Sequence, residues 1–222
     1  MSRKQLLLIL VLVVVLAGAG LAWFLMSANQ SSPMGAATGS GPGFTIVSTD
    51  RALGNPKAKV TVIEYGAPSC PVCAAFNSQN FATLKASYID TGKVFYVFRV
   101  FPLRSDDGSA EKIARCLPED KYFAFIDLLF RNQPKWDVEY GVTDVHAGLV
   151  LLGRIAGMSA DQVDNCMNNK TEDDRINKVA ADGQAKYSIS GTPTFVVDGA
   201  ALPSGNDYPG LSKAIDAELA KK

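Results

Sequence analysis

Hydrophobic and polar positions along the chain follow a pattern that predicts a mixed α/β fold. Val60–Tyr65 is β-branched and almost continuously apolar, which is typical of a buried central strand. A helical pattern runs from Pro71 to about Tyr88, and strand character returns over Lys93–Phe101. A strand, a helix and a second strand in this order favour a right-handed parallel unit.

The second half of the chain is predicted to begin with a block of helices over residues 109–187. Val145, Leu149 and Leu152 lie at helical spacing and form one apolar stripe within it. Strand character returns at residues 193–197, and an Asp-Gly turn then indicates a hairpin. A final helix completes an outline of βαβ, a helical block and ββα.

The segment before residue 44 has a different character. Leu6 to Met26 runs 21 residues without a charge, and Arg3 and Lys4 precede it. This length suits a transmembrane signal-anchor over residues 1–26, with its basic end on the cytoplasmic side. A cleaved secretory signal is the alternative, and both interpretations send the rest of the chain across the membrane. Residues 27–43 are rich in Gly, Ser and Pro and are predicted to be a flexible linker.

Charge and cysteine content narrow the function. Lys plus Arg equals Asp plus Glu at 22 each, and no basic block stands out, so nucleic acid is not the expected partner. The four cysteines fit two disulfides, which persist only in an oxidising compartment. The composition is otherwise that of an ordinary folded protein.

The first two cysteines form the motif Cys70-Pro71-Val72-Cys73, placed where the central strand ends and a helix begins. Unpaired backbone N–H groups at a helix N-terminus stabilise an anion, so the pKa of Cys70 is expected to fall. Cys73 lies on the same helical face and can close a disulfide with it. Cys70 is therefore the expected attacking thiol and Cys73 the resolving one. Half of a zinc site and an inert structural pair are the alternatives; a zinc site would need a second close pair.

These motifs resemble the DsbA-like family of thiol–disulfide oxidoreductases. The resemblance rests on Val62–Cys73, on Gly191-Thr192-Pro193-Thr194-Phe195 and on the helical block between them, and it covers residues 44–222. It implies a thioredoxin-like fold with an inserted helical domain. Residues 44–108 would form the first thioredoxin-like half, residues 109–187 the insert and residues 188–222 the second half.

The resemblance also implies roles for individual residues. Pro193 matches the family's cis-proline, and Thr192, Pro193, Pro71 and Val72 are the expected substrate-binding residues. Glu64 matches the acidic residue beneath the active site that passes protons to the buried cysteine. A carboxyl in an apolar strand would have a raised pKa, which suits that task. Position 72 departs from the best-known members, which carry His there, and Val cannot donate a hydrogen bond to the thiolate.

Cys116 and Cys166 lie in the helical block, and a structural disulfide between them is predicted. Two buried free thiols and a regulatory redox pair are the alternatives. His146, the single histidine, is expected at the surface without a catalytic role. No metal or cofactor is expected.

The predicted function is a monomeric dithiol oxidase that gives its Cys70–Cys73 disulfide to exported, cysteine-containing proteins. The resemblance implies a bacterial inner-membrane protein whose catalytic domain faces the periplasm and is reoxidised by a quinone-linked membrane partner of the DsbB type. An isomerase or reductase on the same scaffold is the alternative, which the loss of His at position 72 favours. A redox-inactive tethered chaperone or binding module is a third possibility.

Overall fold

A computed structural model describes residues 39–41, 44–205 and 207–222. Within these ranges, no helix combines the length and apolar character needed to cross a bilayer. The predicted signal-anchor, residues 1–26, lies outside the described residues.

The centre of the fold is a five-stranded sheet with strand order β3-β5-β4-β6-β7. Strands β4 and β5 run parallel, and the other neighbours are antiparallel. A separate two-stranded sheet is formed by β1 and β2. The strands are β1 Gly39–Gly41, β2 Phe44–Ile46, β3 Arg51–Leu53, β4 Val60–Gly66, β5 Val94–Val100, β6 Thr194–Val197 and β7 Ala200–Ala201.

The helices fill the connection between β4 and β5, the long insert between β5 and β6, and the end of the chain. The first connection is one continuous helical rod in which π-helical turns, Asn77–Phe81 and Lys85–Ile89, follow the α-helical pieces. The α-helices are α1 Pro71–Phe76, α2 Ala82–Leu84, α3 Ser105–Cys116, α4 Tyr122–Arg131, α5 Gln133–Trp136, α6 Val145–Ile155, α7 Ala160–Met167, α8 Lys170–Tyr187 and α9 Tyr208–Leu219. Short 3₁₀ turns lie at Glu119–Lys121 and Val138–Tyr140.

Hydrophobic cores lie on both faces of the sheet because side chains alternate along each strand. Val60 and Val62 of β4 belong to the larger core, together with α1 and the insert, whereas Ile63 and Tyr65 belong to the smaller one. Every residue of β4 is buried, as expected for a central strand. Glu64 shares the alternation of Val60 and Val62, so its carboxyl points toward the helices rather than toward solvent.

The α/β thioredoxin-like order predicted from the sequence is confirmed, including the parallel β4–β5 pair and the final hairpin and helix. Two features were not predicted. The edge strand β3 has only three residues and too little pattern to be recognised. Strand β1 lies inside the segment predicted as a linker and pairs with β2. The first helix of the insert begins at Ser105, slightly before the predicted boundary at residue 109.

Candidate active site

Cys70 is the N-cap residue of α1, the position that the sequence predicted for it. Its sulfur accepts a hydrogen bond from the backbone N–H of Cys73 at 3.1 Å. Pro71 occupies the first helical turn, where its missing N–H costs no hydrogen bond. Both cysteines are reduced. Cys70 keeps 3% of its surface exposed and Cys73 none, so only Cys70 offers its sulfur to another molecule.

The two thiols have opposite pKa shifts. The hydrogen bond from the Cys73 thiol lowers the pKa of Cys70 to about 6, with help from Thr192 and from the backbone N–H groups of Cys73 and Val72, while burial opposes them. Burial raises the pKa of Cys73 well above its usual value of 9.0, and the neighbouring Cys70 and Glu64 raise it further. At neutral pH, Cys70 is therefore mainly a thiolate and Cys73 a thiol.

The loop before β6 closes over Cys70. The Thr192–Pro193 peptide bond is cis, as the resemblance implied. The Thr192 carbonyl oxygen lies 3.4 Å from Cys70 Sγ and accepts a hydrogen bond from the thiol. A thiolate has no proton to give. The Thr192 hydroxyl is buried and has no partner within the part of the chain that the structure describes, which leaves it available to donate to the charged sulfur.

Glu64 lies beneath the cysteine pair in the larger core, with only 2% of its surface exposed. Its Oε2 accepts a hydrogen bond of 2.5 Å from the Tyr96 hydroxyl. Burial raises the pKa of Glu64 from 4.5 to about 7; the Tyr96 hydrogen bond opposes this shift, and the Cys70 charge adds to it. Because this pKa lies near neutrality, the carboxyl is able both to give and to take a proton there.

Asp107, in the first turn of α3, ties the insert to the residue before Cys70. Its Oδ1 accepts from the Ser69 N–H at 2.7 Å, and its Oδ2 accepts from the Ser69 hydroxyl at 3.0 Å. Oδ2 also accepts from the backbone N–H groups of Leu103 and Arg104. Asp107 is fully buried. Two hydrogen bonds from Ser69 therefore hold the turn that presents Cys70, and the two from Leu103 and Arg104 fix the carboxylate that accepts them.

Gln133, at the start of α5, holds the same turn from another side. Its Nε2 donates to the carbonyl oxygens of Pro68 at 2.8 Å and Cys70 at 3.1 Å. Its Oε1 accepts from the Tyr140 hydroxyl at 3.2 Å. The side chain is almost completely buried, so each of these bonds replaces one that water would otherwise make. The helical insert is thus part of the site's framework.

Four exposed apolar side chains accompany this framework, and we call them the apolar rim: Val72, Leu103, Val138 and Tyr140. Val72 lies between the cysteines and is 53% exposed. The Leu103 N–H donates to Asp107 and the Tyr140 hydroxyl donates to Gln133, so both adjoin side chains that hold the Cys70 turn. Val138 begins the 3₁₀ turn that ends at Tyr140. Val72 therefore presents a methyl surface, with no proton donor, beside the reactive sulfur.

The second cysteine pair is a disulfide. Cys116 at the end of α3 and Cys166 in α7 are bonded, with their Cα atoms 6.1 Å apart, which confirms the structural pairing predicted for them. His146 is exposed, and its Nε2 lies 2.7 Å from Asp164 Oδ1. Among the residues that the structure describes, no group of three His, Cys, Asp or Glu side chains is arranged to hold a metal ion.

Sequence reasoning missed Tyr96, Asp107 and Gln133. Tyr96 pairs with Val62 in the parallel β4–β5 ladder, so only the strand register places its hydroxyl against Glu64. Asp in a first helical turn is common and carries no special signal. Gln133 is far from Cys70 in sequence, and the residues around Gln133 form no pattern that predicts its hydrogen bond to the Cys70 carbonyl.

Comparisons with known proteins agree with this geometry. The family model described as thioredoxin matches residues 47–217. A Rickettsia typhi protein, named as a proposed protein-disulfide oxidoreductase, is 32% identical over 178 residues, which are 79% of this chain and 64% of the relative. The chain therefore spans somewhat less than two thirds of that relative. Disulfide bond formation protein D of Bacillus subtilis is 27% identical, with 77% of each chain covered.

A solved structure gives the same result for the fold. The crystal structure of Wolbachia pipientis alpha-DsbA1 superposes with a TM-score of 0.70 and 28% sequence identity. The superposition covers 78% of this chain and 92% of that one. The similarity therefore includes the thioredoxin-like halves and the helical insert together.

Proposed function

The chain belongs to the thioredoxin family, among its DsbA-like thiol–disulfide oxidoreductases, and from this premise we propose that it oxidises cysteine pairs in other proteins. The observation that carries the proposal is the placement of the two thiols: Cys70 is the N-cap of α1 and its sulfur accepts the Cys73 N–H, whereas Cys73 is fully buried. This placement lowers the pKa of Cys70 to about 6 and raises that of Cys73. A thiolate that is stable at neutral pH is a good leaving group. It stabilises the reduced enzyme and makes the disulfide form oxidising.

The proposed reaction begins with the Cys70–Cys73 disulfide. A substrate thiolate attacks Cys70 Sγ, the bond to Cys73 breaks, and the electron pair leaves on Cys73 Sγ. Glu64 gives that sulfur a proton, because an unprotonated thiolate at a fully buried site is costly. A second substrate thiolate then attacks the substrate sulfur of the mixed disulfide. Cys70 leaves as the thiolate, and the substrate holds the new disulfide.

The apolar rim favours unfolded chains as substrates. Val72, Leu103, Val138 and Tyr140 offer uncharged contact surface, which suits polypeptides that still expose hydrophobic side chains. The backbone around the cis Thr192–Pro193 bond is the proposed place where an extended substrate segment pairs. The partners of the reaction are therefore cysteine-containing proteins that have not finished folding.

The test uses the purified full-length chain, oxidised and then mixed with a reduced two-cysteine peptide. We expect stoichiometric peptide oxidation and a reduction potential, measured against glutathione, more oxidising than that of glutathione. Cys70→Ser should abolish the reaction. Cys73→Ser, with Cys70 first converted to its mixed disulfide with 5-thio-2-nitrobenzoate, should release that thiolate to a one-cysteine peptide and retain the peptide as a stable mixed disulfide on Cys70. A strongly reducing potential without peptide oxidation would refute the oxidase assignment. Efficient refolding of a scrambled protein under those conditions would support the isomerase that Val72 favours.

We also propose a location and a redox partner. The uncharged run from Leu6 to Met26 supports a signal-anchor in a bacterial inner membrane, with the catalytic domain in the periplasm as a monomer. The Cys116–Cys166 disulfide supports an oxidising compartment. A quinone-linked protein of the DsbB type would take up the electrons.

A membrane-impermeant maleimide tests the location. In intact spheroplasts that have been treated with a reductant, it should label Cys70 if the domain lies outside the inner membrane. Labelling that requires lysis would contradict the proposal. Addition of quinone to membrane vesicles that contain the reduced chain tests the partner, since reoxidation should depend on it.

A further inference from the structure

A small cavity lies on the side of Glu64 that faces α1 and α4. Three of its lining residues, Glu64, Asn77 and Tyr96, are polar, and the other six are five Phe and one Ile. The volume in which the centre of a water molecule can lie is about 10 Å³, which is close to the minimum for one buried water. A cavity of this size with polar groups on its wall is suited to a single bound water.

Asn77 supplies an independent observation. Its Oδ1 is buried and has no hydrogen-bond partner among the described residues, although buried polar atoms in proteins are nearly always paired. The residue as a whole is only partly buried, so it reaches from the cavity to the surface. Asn77 begins the π-helical turn Asn77–Phe81, and such turns are frequent at functional sites.

The carboxyl of Glu64 has the matching need. Its Oε2 is occupied by Tyr96, whereas none of the residues that the structure describes donates a hydrogen bond to Oε1. Burial holds the pKa of the Tyr96 hydroxyl well above 10.0, and the Glu64 charge raises it further, so Tyr96 does not pass a proton onward by releasing its own at neutral pH. A proton that leaves Glu64 therefore needs another route to solvent.

We propose that Asn77 positions one buried water against Glu64 and that protons pass between Glu64 and solvent by way of this water. The water donates to Asn77 Oδ1 and, with its other hydrogen, to the Glu64 carboxylate; when Glu64 is protonated, the carboxyl donates to the water instead. In the transfer, the buried water takes the Glu64 proton and gives one of its own to a solvent water at the partly exposed side of Asn77. Asn77 is a positioning residue and does not itself carry the proton. The inference rests on the proposed role of Glu64 as the proton donor to Cys73.

The decisive variant is Asn77→Leu in the full-length chain, with Asn80→Leu as its matched control in the same helical turn. Loss of one hydrogen bond to a charged group corresponds to a pKa change of about one to two units. We expect the Glu64 pKa, followed by the infrared band of its protonated carboxyl, to rise by that amount in Asn77→Leu. Asn80→Leu should leave it unchanged, and Asn77→Ser, which keeps an acceptor, should restore most of it.

A second readout is the rate at which reduced glutathione cleaves the Cys70–Cys73 disulfide, normalised to the glutathione thiolate. This normalised rate should fall as the pH rises and Glu64 loses its proton. In Asn77→Leu, the pH at which the rate falls should be higher, by the same amount as the Glu64 pKa. If Glu64→Gln leaves this profile unchanged, the proposed role of Glu64 fails, whereas the infrared titration still decides whether the water is present. Identical carboxyl titrations in Asn77→Leu and Asn80→Leu would overturn the inference.

A measurement on the unsubstituted chain avoids any dependence on how the variants fold. A high-resolution crystal structure should show one water between Glu64 Oε1 and Asn77 Oδ1. An empty cavity with both side chains well ordered would also overturn the inference.

Discussion

Removing the Cys73 thiol is the sharpest perturbation of the site, because that thiol is the largest single cause of the lowered pKa of Cys70. The full shift, from 9.0 to about 6, corresponds to about 4 kcal/mol before any screening by solvent. One hydrogen bond to a charged group contributes about 1.5–3 kcal/mol of this, or about one to two pKa units. We therefore expect the pKa of Cys70 to rise to about 7–8 in Cys73→Ala.

Cys73→Ser is the matched control, since its hydroxyl donates to Cys70 where the thiol did. The pKa should then stay near 6. The assay is the rate of alkylation by iodoacetamide as a function of pH, which reports the thiolate fraction. Cys70 is the single free thiol in both variants, because the other two cysteines form a disulfide. A pKa near 6 in Cys73→Ala, or an equal rise in both variants, would refute the reasoning.

The same shift links redox state to stability. The pKa of Cys70 is lower in the folded reduced chain than in the unfolded chain, so ionisation of Cys70 adds to the free energy of unfolding of the reduced chain. This added stability is complete above about pH 9 and is lost as the pH falls through about 6. At pH 7 it amounts to at most about 1.4 kcal/mol, and a pKa of about 7.5 in Cys73→Ala would leave about 0.2 kcal/mol. Urea denaturation of the reduced proteins at pH 5 and pH 7 measures the difference.

Three further changes have defined outcomes. Burial raises the pKa of Glu64 from 4.5 to about 7, so the free energy of unfolding falls as the pH rises from 4.5 to about 7. Glu64→Gln, which does not ionise, should match the unsubstituted chain near pH 4. At pH 8 its free energy of unfolding should be higher by up to about 3 kcal/mol. An equal difference at both pH values would contradict this. Gln133→Leu leaves the buried Pro68 carbonyl without its donor, while the Cys70 carbonyl keeps the Ala74 N–H, and should lower the free energy of unfolding by about 1–3 kcal/mol in urea. Replacing Cys116 and Cys166 together by Ser opens a loop of 50 residues and should lower the free energy of unfolding by about 4 kcal/mol. The rate at which glutathione cleaves the Cys70–Cys73 disulfide should not change. A large loss of that rate would show that the Cys116–Cys166 disulfide shapes the active site.

Local chemistry determined which parts of the site could be predicted from the sequence. The geometry of Cys70 and Cys73 could be predicted from the local sequence, because a strand end, a proline and a three-residue spacing indicate a helix N-terminus. Glu64 and Pro193 were found through the resemblance, which carries long-range information that periodicity does not. The second disulfide required only that both cysteines lie in the same helical block.

The residues that escaped prediction act across long sequence separations. Ser69 and Asp107 are 38 residues apart, and Cys70 and Gln133 are 63 apart. The sequence gives no sign that Asn77 has a buried oxygen without a hydrogen-bond partner among the described residues, because this depends on the packing around it. Their contacts follow from how the insert docks on the sheet, and single-chain patterns do not encode that docking.

The hydrogen bonds from Asp107 and Gln133 also set an order of events during synthesis. A chain that emerges from its N-terminal end presents the cysteine motif first, Asp107 and Gln133 later, and the loop with Thr192 last. Until the last of these has folded into place, the turn at Cys70 lacks its supports, and the sulfur lacks its neighbour at Thr192. The redox centre is therefore complete only when the loop that carries Thr192 has been made and has folded against Cys70.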